Sequence, residues 1–339
     1  MSTTRQWLVA ARPIGRALQA DDFRLETAPI GALGPGEVLV QTQYLSFDPA
    51  QKSWMENVAS YMAPVEIGGL MPGSGGGRVL ASNSPDFAVG DRVIGRTGWR
   101  EQAIVAASDL TRVPDGVAVT AALAVLGTTG RTAYLGLVNI GKPKAGDTLV
   151  ISGAAGATGS VVGQLGKISG CRVIGIAGGP EKCAWLTEEL GFDGAIDYKS
   201  EKVRARLRDL APGGIDVFWD NVGGDILNDA LGRLAVGARV VICGGISRYN
   251  FDARDPSMPP GPRNYFNVVF TGATIQGFLM PHYEAQYPIA DARLLEWVRA
   301  GAIRYKEDML AGFENAPLAL MRLFEGGNFG KQLLRVGEG

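Results

Sequence analysis

A glycine-rich segment at residues 148–159 has the composition and spacing of a nucleotide-binding turn. In TLVISGAAGATG an apolar stretch runs into the turn, and the helical pattern SVVGQLGKI follows it. Ala154, Gly156 and Gly159 occupy the glycine positions of the pattern GxGxxG, with alanine replacing the first. Unpaired amides at a helix N-terminus bind pyrophosphate where no side chain blocks the approach. The segment predicts a dinucleotide site, with a tight strand-to-helix turn that binds no ligand as the alternative.

The end of the next apolar segment indicates which dinucleotide would be bound. Sites that hold a free ribose 2′-hydroxyl place an acidic residue about twenty residues after the glycines. Here CRVIGIA ends in Gly178, Gly179 and Pro180, and Glu181 is followed at once by Lys182. A 2′-phosphate would meet open backbone and a lysine instead of a repelling carboxylate. The sequence therefore predicts NADP(H), with a merely solvated helix lysine as the alternative interpretation of Lys182.

Histidine and cysteine are too scarce for most metal sites and for a hydrolase triad. The 339 residues include one histidine, His282, and three cysteines, Cys171, Cys183 and Cys243. No two cysteines have CxxC spacing, and a single histidine cannot complete an HExxH pattern. A triad would need His282 as its base, and the chain has no GxSxG elbow. We therefore expect an enzyme without a bound metal.

Composition argues against disorder and against polyanionic partners. Hydrophobic residues make up 46% of the chain and charged residues 20%, which is typical of a globular protein. The 33 Lys and Arg nearly balance the 34 Asp and Glu, for a net charge of −1. We expect no nucleic-acid partner and no membrane partner. Three cysteines far apart in sequence are typical of a reducing compartment, and we predict a cytoplasmic location.

Two kinds of patterning surround these residues. Up to about residue 125, short β segments such as Glu37–Gln43, Gly77–Ala81 and Asp91–Gly95 alternate with turns. After residue 148, apolar strands alternate with helical stretches, which predicts βαβ units and a doubly wound parallel sheet. A last strand, Gln332–Val336, is expected to rejoin the first β region. The strands predicted for the parallel sheet are Thr148–Ser152, Arg172–Ala177, Ala195–Asp197, Ile215–Asp220, Ala238–Cys243 and Thr274–Phe278.

Further segments in the same order resemble the medium-chain dehydrogenase/reductase superfamily. The resemblance is greatest to its zinc-free branch, which holds the prostaglandin reductases, the plant alkenal/one double-bond reductases and the bacterial curcumin reductase. It covers nearly the whole chain. The matching segments include LSFDP at 45–49, GDRV at 90–93, AAGATG at 154–159, GGPEK at 178–182, DNVGG at 220–224, CGGISRYN at 243–250 and GGNFGK at 326–331.

The resemblance implies an α/β chain with two domains and a set of cofactor contacts. A GroES-like catalytic domain would comprise 1–125 and 295–339, and a Rossmann NADP-binding domain would comprise 126–294. Such chains usually form a homodimer through the Rossmann domain. The residues implied to bind the cofactor are Ala155, Gly156, Ala157, Thr158, Lys182, Tyr198, Asn221, Cys243, Gly244, Gly245, Ile246, Ser247, Tyr249, Phe278, Leu279, Met280 and Asn328.

Conjugate reduction is the chemistry that a metal-free NADPH enzyme can perform most readily. Hydride added to the β-carbon of an α,β-unsaturated aldehyde or ketone places charge on an enolate oxygen, which hydrogen-bond donors can stabilise. Tyr249 matches the family tyrosine in its SxYN segment and is our candidate catalytic residue. The alternative interpretation of Tyr249 is a loop tyrosine packed against the proline-rich segment that follows.

Two other functions remain open from sequence, and one departure bears on the substrate. A quinone oxidoreductase would use the same site on a flatter acceptor, and a non-catalytic NADPH-binding protein would use the nucleotide site alone. Relatives often carry an aromatic residue and then Met-Arg after LSxDP, whereas this chain has Ala50, Gln51 and Lys52. We expect a pocket that is wider there, or walled by Trp54, Tyr61 or Met62.

Overall fold

The computed structural model describes residues 2–56, 62–252, 254–258 and 260–337. Tyr61, one of the three side chains expected to wall the pocket, lies outside these residues. The chain divides into two compact units. The first comprises Met1–Gly127, Asn250–Asp252 and Glu307–Gly339, and the second comprises Thr128–Tyr249 and Ala253–Lys306.

The first unit is built on a seven-stranded sheet and a two-stranded hairpin. Its strands are β1 (Thr3–Val9), β2 (Phe23–Pro29), β3 (Glu37–Ser46), β4 (Ser74–Ser82), β5 (Arg92–Gly95), β6 (Gln102–Ala106), β7 (Leu110–Arg112), β14 (Glu307–Ala311) and β15 (Lys331–Arg335). Its helices are α1 (Ala50–Met55), α2 (Val119–Leu123) and α10 (Ala316–Phe324).

Alternating side chains and a returning C-terminal strand hold this first unit together. In β3 the alternate residues Val38 and Val40 are fully buried and pack against Val79 and Val93 of neighbouring strands, as a half-buried strand requires. The hairpin joins β1 to β2, while the sheet has the order β14-β15-β3-β4-β5-β7, with β6 also pairing with β3. Strand β15 pairs antiparallel with β3, so the predicted return of the last strand to the first β region is confirmed.

The second unit is a six-stranded parallel sheet with helices between its strands. Its strands are β8 (Thr148–Ser152), β9 (Arg172–Ala177), β10 (Gly194–Asp197), β11 (Ile215–Asp220), β12 (Leu234–Ile242) and β13 (Thr274–Gly277). Its helices are α3 (Thr128–Gly136), α4 (Ala157–Ile168), α5 (Pro180–Ala184), α6 (Val203–Leu210), α7 (Gly224–Leu231), α8 (Asn267–Thr271) and α9 (Tyr287–Arg299).

The strand order β10-β9-β8-β11-β12-β13 reverses between β8 and β11. Every neighbouring pair in this sheet is parallel, so the predicted doubly wound sheet is confirmed. Counted from β8, the order is 3-2-1-4-5-6, the arrangement in which dinucleotides bind outside the carboxyl ends of the strands at the reversal. This topology therefore predicts a ligand site at the carboxyl edge of the sheet.

The predicted strands of this sheet are confirmed, with shifts at the ends of three of them, of which β10 begins one residue earlier than predicted, at Gly194. Strand β12 begins at Leu234, earlier than predicted, because Leu234 pairs with Ile215 of β11. It ends at Ile242, so the prediction that Cys243 belongs to the strand is wrong. The amides of both Cys243 and Gly244 bond the carbonyl of Asp220, so the pairing between the two strands does not continue beyond Ile242. Phe278 likewise lies beyond β13, against Trp219.

Helix α9 belongs wholly to the second unit. Arg131 of α3 makes a two-pronged ion pair with Asp291 of α9, with nitrogen–oxygen distances of 2.6 and 2.7 Å. The chain therefore re-enters the first unit at Glu307. The sequence predicted re-entry at residue 295, which is too early. Among the residues that the structure describes, no helix has the length and apolarity needed to cross a membrane.

Candidate cofactor site

The glycine turn after β8 leaves a backbone cradle at the start of α4. Gly153, just past the end of β8, has a φ of +61°, which favours glycine. Gly156 is the residue that caps the N-terminus of α4. The first amides of any α-helix have no partner within the helix, so those of Ala157 and Thr158 are suited to an anion. The turn has the geometry that a pyrophosphate needs.

Gly159 shows why this helix can approach the turn so closely. A Cβ added at Gly159 would lie 2.4 Å from the carbonyl oxygen of Gly153 and 2.9 Å from the Cα of Ala154. No side chain fits there. This is the function of the third glycine in the dinucleotide pattern, which lets helix and strand pack together. Ala154 is fully buried at the first glycine position, where a methyl group is accommodated.

The carboxyl ends of β9 and β10 form a second cluster at the same edge of the sheet. Gly178 follows β9, and a Cβ there would lie 2.9 Å from the ring of Tyr198 and 3.0 Å from Cε of Lys199. Lys182 is partly buried in α5, a few residues further on. Sequence reasoning assigned Lys182 and Tyr198 to the adenosine end but missed Lys199. Its position directly after Tyr198, at a strand end, is the signal that could have identified it.

Asp197, the last residue of β10, holds this second cluster in place through its hydrogen bonds. Its Oδ1 accepts the amides of Gly179 at 2.8 Å and Lys199 at 3.0 Å, and its Oδ2 accepts the Ser200 hydroxyl at 2.8 Å. These bonds lower the pKa of the Asp197 carboxyl, the Gly179 amide contributing most. The Asp197 carboxylate is therefore hydrogen-bonded to backbone amides on both sides of the cluster.

The ends of β8 and β11 are joined by a compact set of polar contacts at the reversal of strand order. The Ser152 hydroxyl donates to Oδ1 of Asp220 at 2.7 Å and accepts the Asn221 amide at 2.8 Å. The Asn221 side chain donates to the Ser152 carbonyl at 2.7 Å and accepts the Trp219 indole at 3.0 Å. Asn221, implied to lie along the dinucleotide, is thus held firmly in place by its own strand ends.

The segment 243–249, after β12, is laid over the loop that follows β11. Its bonds run in register, because the amides of Cys243 and Gly244 reach Asp220, that of Ile246 reaches Asn221, and that of Ser247 reaches Val222. The Ser247 hydroxyl also donates to the Val222 carbonyl at 2.6 Å. Gly245 lies within the same run. Backbone pairing of this kind fixes the segment relative to the glycine turn.

Tyr249 ends this segment with its hydroxyl near the sheet edge. A Cβ built on Gly244 would lie 3.6 Å from the Tyr249 Oη and 3.3 Å from the Asn221 carbonyl oxygen. The phenol therefore lies beside the backbone that follows β11 and β12, and the residue is partly buried. The position is that of a hydrogen-bond donor close to the reversal of strand order.

Phe278, Leu279 and Met280 follow β13 and are partly buried. The Phe278 ring packs edge-on against Trp219, with ring centroids 6.0 Å apart. Glycine at position 136 of α3 makes room for both rings, since a Cβ there would lie 2.5 Å from Phe278 and 2.6 Å from Trp219. His282, the single histidine, is exposed in the turn beyond.

The sheet thus brings together almost all the residues that the sequence assigned to the cofactor. They lie after β8, β9, β10, β11, β12 and β13 along one carboxyl edge. Asn328 is the exception, since it belongs to the first unit, where its side chain donates to the Gly330 carbonyl at 3.0 Å. The parallel sheet does not position Asn328.

The cysteine thiols are suited to packing rather than to thiolate chemistry. Burial raises the pKa of Cys171 and of Cys183 to about 11, and that of Cys243 to about 12, with nearby Asp220 adding to the effect at Cys243. Although Cys183 follows Lys182 in sequence, desolvation by burial has the largest effect on its pKa. Cys243 therefore contributes to the site through its backbone.

The residues after LSFDP are turned into the interior of the first unit. Gln51 is buried, accepting the Asp48 amide at 3.0 Å and donating to the Pro72 carbonyl at 3.2 Å. Lys52 is fully buried in an ion pair with Glu56. Trp54 and Met62 are partly buried. At these positions, where the chain departs from its relatives, two polar side chains that already have bonding partners therefore lie inside the unit.

Two family models match the chain. One, described as the N-terminal domain of oxidoreductase, matches residues 5–113, and the other, described as zinc-binding dehydrogenase, matches residues 157–296. The residues present do not fit zinc. Among those that the structure describes, no group of three or more His, Cys, Asp or Glu is placed to hold a metal ion, and the complete sequence has one histidine.

Similar proteins cover the whole chain. It is 40% identical to the NADPH-dependent curcumin reductase of Escherichia coli (strain K12), over 98% of this chain and 96% of that protein. It is 38% identical to the 2-alkenal reductase (NADP(+)-dependent) of Nicotiana tabacum, over 89% and 88%. The crystal structure of CurA from Vibrio vulnificus in complex with NADPH superimposes with a TM-score of 0.92, at 39% identity, over 99% of this chain and 100% of that one.

Proposed function

Because the chain belongs to the zinc-free branch of the medium-chain dehydrogenase/reductase superfamily, we propose that it reduces the carbon–carbon double bond of α,β-unsaturated aldehydes and ketones. It is an NADP(H)-dependent oxidoreductase. The observation that carries the proposal is the shared carboxyl edge of the parallel sheet. The glycine turn, Lys182 and Tyr249 each follow a strand of this sheet, in a chain whose composition cannot supply a zinc site.

The glycine turn and the strand ends would hold the cofactor. The amides at the start of α4 would bind the pyrophosphate, and the segments 243–249 and 278–280 would enclose the nicotinamide end. When bound, NADPH supplies the hydride. The Gly159 contact supports the fit, since the approach of α4 to the turn leaves the backbone open where a side chain would otherwise stand.

The adenosine end would recognise the 2′-phosphate with two lysines and a phenol. Tyr198 and Lys199 lie beside the backbone of Gly178, and Lys182 follows on α5. The Asp197 carboxylate already accepts three hydrogen bonds from neighbouring donors. A dianionic phosphate would form charge-assisted hydrogen bonds with both lysines.

Tyr249 would stabilise the developing enolate of the substrate. Its hydroxyl is a donor at the edge where the nicotinamide segments meet, and an enolate oxygen carries the charge that such a donor stabilises best. The proton that completes the reduction at the α-carbon would come from this phenol or from water. Reduction of an isolated ketone would place charge on an alkoxide, for which metal-dependent enzymes use a Lewis acid.

A second copy of the chain would cover the outer edge of the parallel sheet, giving a homodimer. Strand β13 is the last strand of its sheet, and its Ile275 is 41% exposed. Nearby on α8, Val269 is 65% and Phe270 75% exposed. Unpaired strand edges next to exposed apolar side chains mark interaction surfaces. The unpaired cysteines support a reducing, cytoplasmic environment.

One assay tests the proposed function. Purified protein would be incubated with NADPH and, separately, enals, enones, dienones and quinones, while NADPH oxidation is followed by absorbance and products by mass spectrometry. We expect oxidation with enals and enones, and products heavier by two hydrogens that retain the carbonyl group. Turnover of quinones alone would instead indicate a quinone oxidoreductase, and tight NADPH binding without turnover of any acceptor would indicate a non-catalytic protein.

A further inference from the structure

Asp220 is a buried carboxylate that the proposed chemistry leaves unused. It is the last residue of β11 and only 1% exposed. Burial raises the pKa of its carboxyl, against the effect of the hydrogen bonds from Gly223, Ser152 and Val222. A buried acidic group is costly unless it is well paired, so its presence at the reversal of strand order calls for a function.

The side chain of Asp220 gathers donors from two loops. Its Oδ1 accepts the Ser152 hydroxyl at 2.7 Å, the Val222 amide at 3.0 Å and the Gly223 amide at 2.9 Å, and its Oδ2 accepts the Gly223 amide at 3.1 Å. Gly223 has a φ of +74°, which favours glycine. The carboxylate thus closes the tight loop that begins α7 and ties it to the end of β8.

The backbone of Asp220 adds a third loop. Its carbonyl accepts the amides of Cys243 at 2.9 Å and Gly244 at 3.0 Å, which are the first residues after β12. We propose that Asp220, with Ser152 and the amides it binds (the Asp220 hub), is a positioning residue that preassembles the pyrophosphate and nicotinamide half of the cofactor site. The inference rests on the proposed cofactor site and adds a residue that does not touch the cofactor.

The hub extends toward the nicotinamide segment but not toward the adenosine cluster. Ser152 also binds the Asn221 amide, Asn221 accepts the Trp219 indole, and Trp219 packs on Phe278. The adenosine cluster is organised separately by Asp197. Loss of the hub should therefore weaken binding of the nicotinamide half of the cofactor while leaving recognition of the 2′-phosphate intact.

The charge of Asp220 is the property to remove, because the three groups that bond its side chain are all hydrogen-bond donors. Asp220→Asn keeps the size of the side chain, but its amide nitrogen would face the Ser152 hydroxyl or the Gly223 amide. Loss of a hydrogen bond to a charged group corresponds to a roughly tenfold to hundredfold loss of affinity. We expect that rise in the Kd for NADPH, measured by fluorescence titration.

Adenosine 2′-monophosphate is the probe that separates positioning from general damage. It carries the 2′-phosphate but neither pyrophosphate nor nicotinamide. We expect its Kd, measured by calorimetry, to stay within about twofold of the wild-type value in Asp220→Asn. Because these are binding measurements, they test the hub even if no enone is turned over, and the acceptor panel tests the proposed function separately.

Asp216→Asn is the matched control. Asp216 lies at the opposite end of the same strand, where its Oδ2 accepts the Thr148 amide of β8 at 2.8 Å. It should leave both Kd values unchanged. Ser152→Ala, which removes one hub donor and no charge, should raise the Kd for NADPH by roughly threefold to tenfold, and it serves as the test if Asp220→Asn does not fold. The inference is overturned if the variant that folds binds NADPH like wild type, or loses both ligands equally.

Discussion

At the scale of single residues, the proposed site combines the Tyr249 phenol with the side chains of Lys182 and Lys199. Tyr249 lies near the backbone after β11 and β12, with its hydroxyl beside Gly244 and Asn221. A donor placed there contributes most when charge develops on the substrate oxygen, since it stabilises the transition state more than the ground state. The effect of removing it should therefore appear in kcat rather than in cofactor binding.

Tyr249→Phe should lower kcat on enones by roughly tenfold to a thousandfold, the usual loss of one oxyanion donor. The Kd for NADPH should change little, because the ring is retained. Steady-state kinetics and fluorescence titration would measure the two effects. Tyr134→Phe is the control, since Tyr134 packs on Trp297 at a ring distance of 6.0 Å. Wild-type turnover in Tyr249→Phe would exclude the phenol from the chemistry.

Lys182→Ala and Lys199→Ala should each raise the KM for NADPH by roughly tenfold or more, because each removes a charge-assisted bond to the 2′-phosphate. The KM for NADH, which lacks that phosphate, should barely change. The ratio of the two KM values is thus the measurement. Lys144→Ala, an exposed lysine before β8, is the control. Equal effects on the two cofactors would contradict the assignment of these lysines.

At the scale of elements, we expect cofactor binding to depend on the close approach of α4 to the glycine turn. The 2.4 Å gap between a Cβ at Gly159 and the Gly153 carbonyl oxygen leaves no room for a methyl group. Gly159→Ala should lower the free energy of unfolding by about 1 to 3 kcal/mol through overpacking, and should weaken NADPH binding as the turn shifts.

Thermal melting and NADPH titration would test this change in the turn. Gly213→Ala is the matched control, because a Cβ there would have no atom within 4 Å. We expect the control to melt and to bind like wild type. Gly159→Ala with both properties intact would show that the helix does not need its close approach.

The strands of the second unit could be predicted from sequence, whereas the contacts that organise its edge could not. Apolar runs such as Arg172–Ala177 are bounded by glycines and proline, so local patterning alone locates them. The Asp220 hub was missed because Ser152 and Asp220 are 68 residues apart, and only the adjacency of β8 and β11 brings them together. Lys199 has no motif of its own, and only its position directly after Tyr198 at a strand end distinguishes it from other lysines.

At the scale of the whole molecule, the exposed apolar edge around β13 has to be accounted for. Phe266 and Phe270 pack edge-on at 5.4 Å, with 55% and 75% of their surfaces exposed. Large apolar residues clustered on a surface favour association. We expect a dimer in solution at micromolar concentration.

Phe270→Glu should convert that dimer to a monomer, because it would bury an unpaired charge in the interface. Sedimentation velocity would give the mass of each species. Val89→Glu is the control, since Val89 is 70% exposed in a loop of the first unit. A wild-type monomer, or a Phe270→Glu dimer as stable as wild type, would place the association surface elsewhere or remove it.

The central claim is that hydride reaches the β-carbon of an activated alkene. The most direct test is a reaction with NADPH carrying deuterium at the transferred position of the nicotinamide, followed by NMR of the product of an aliphatic enone. The account predicts one deuterium on the β-carbon and an intact carbonyl group. Deuterium on the carbonyl carbon, with formation of an allylic alcohol, would contradict it.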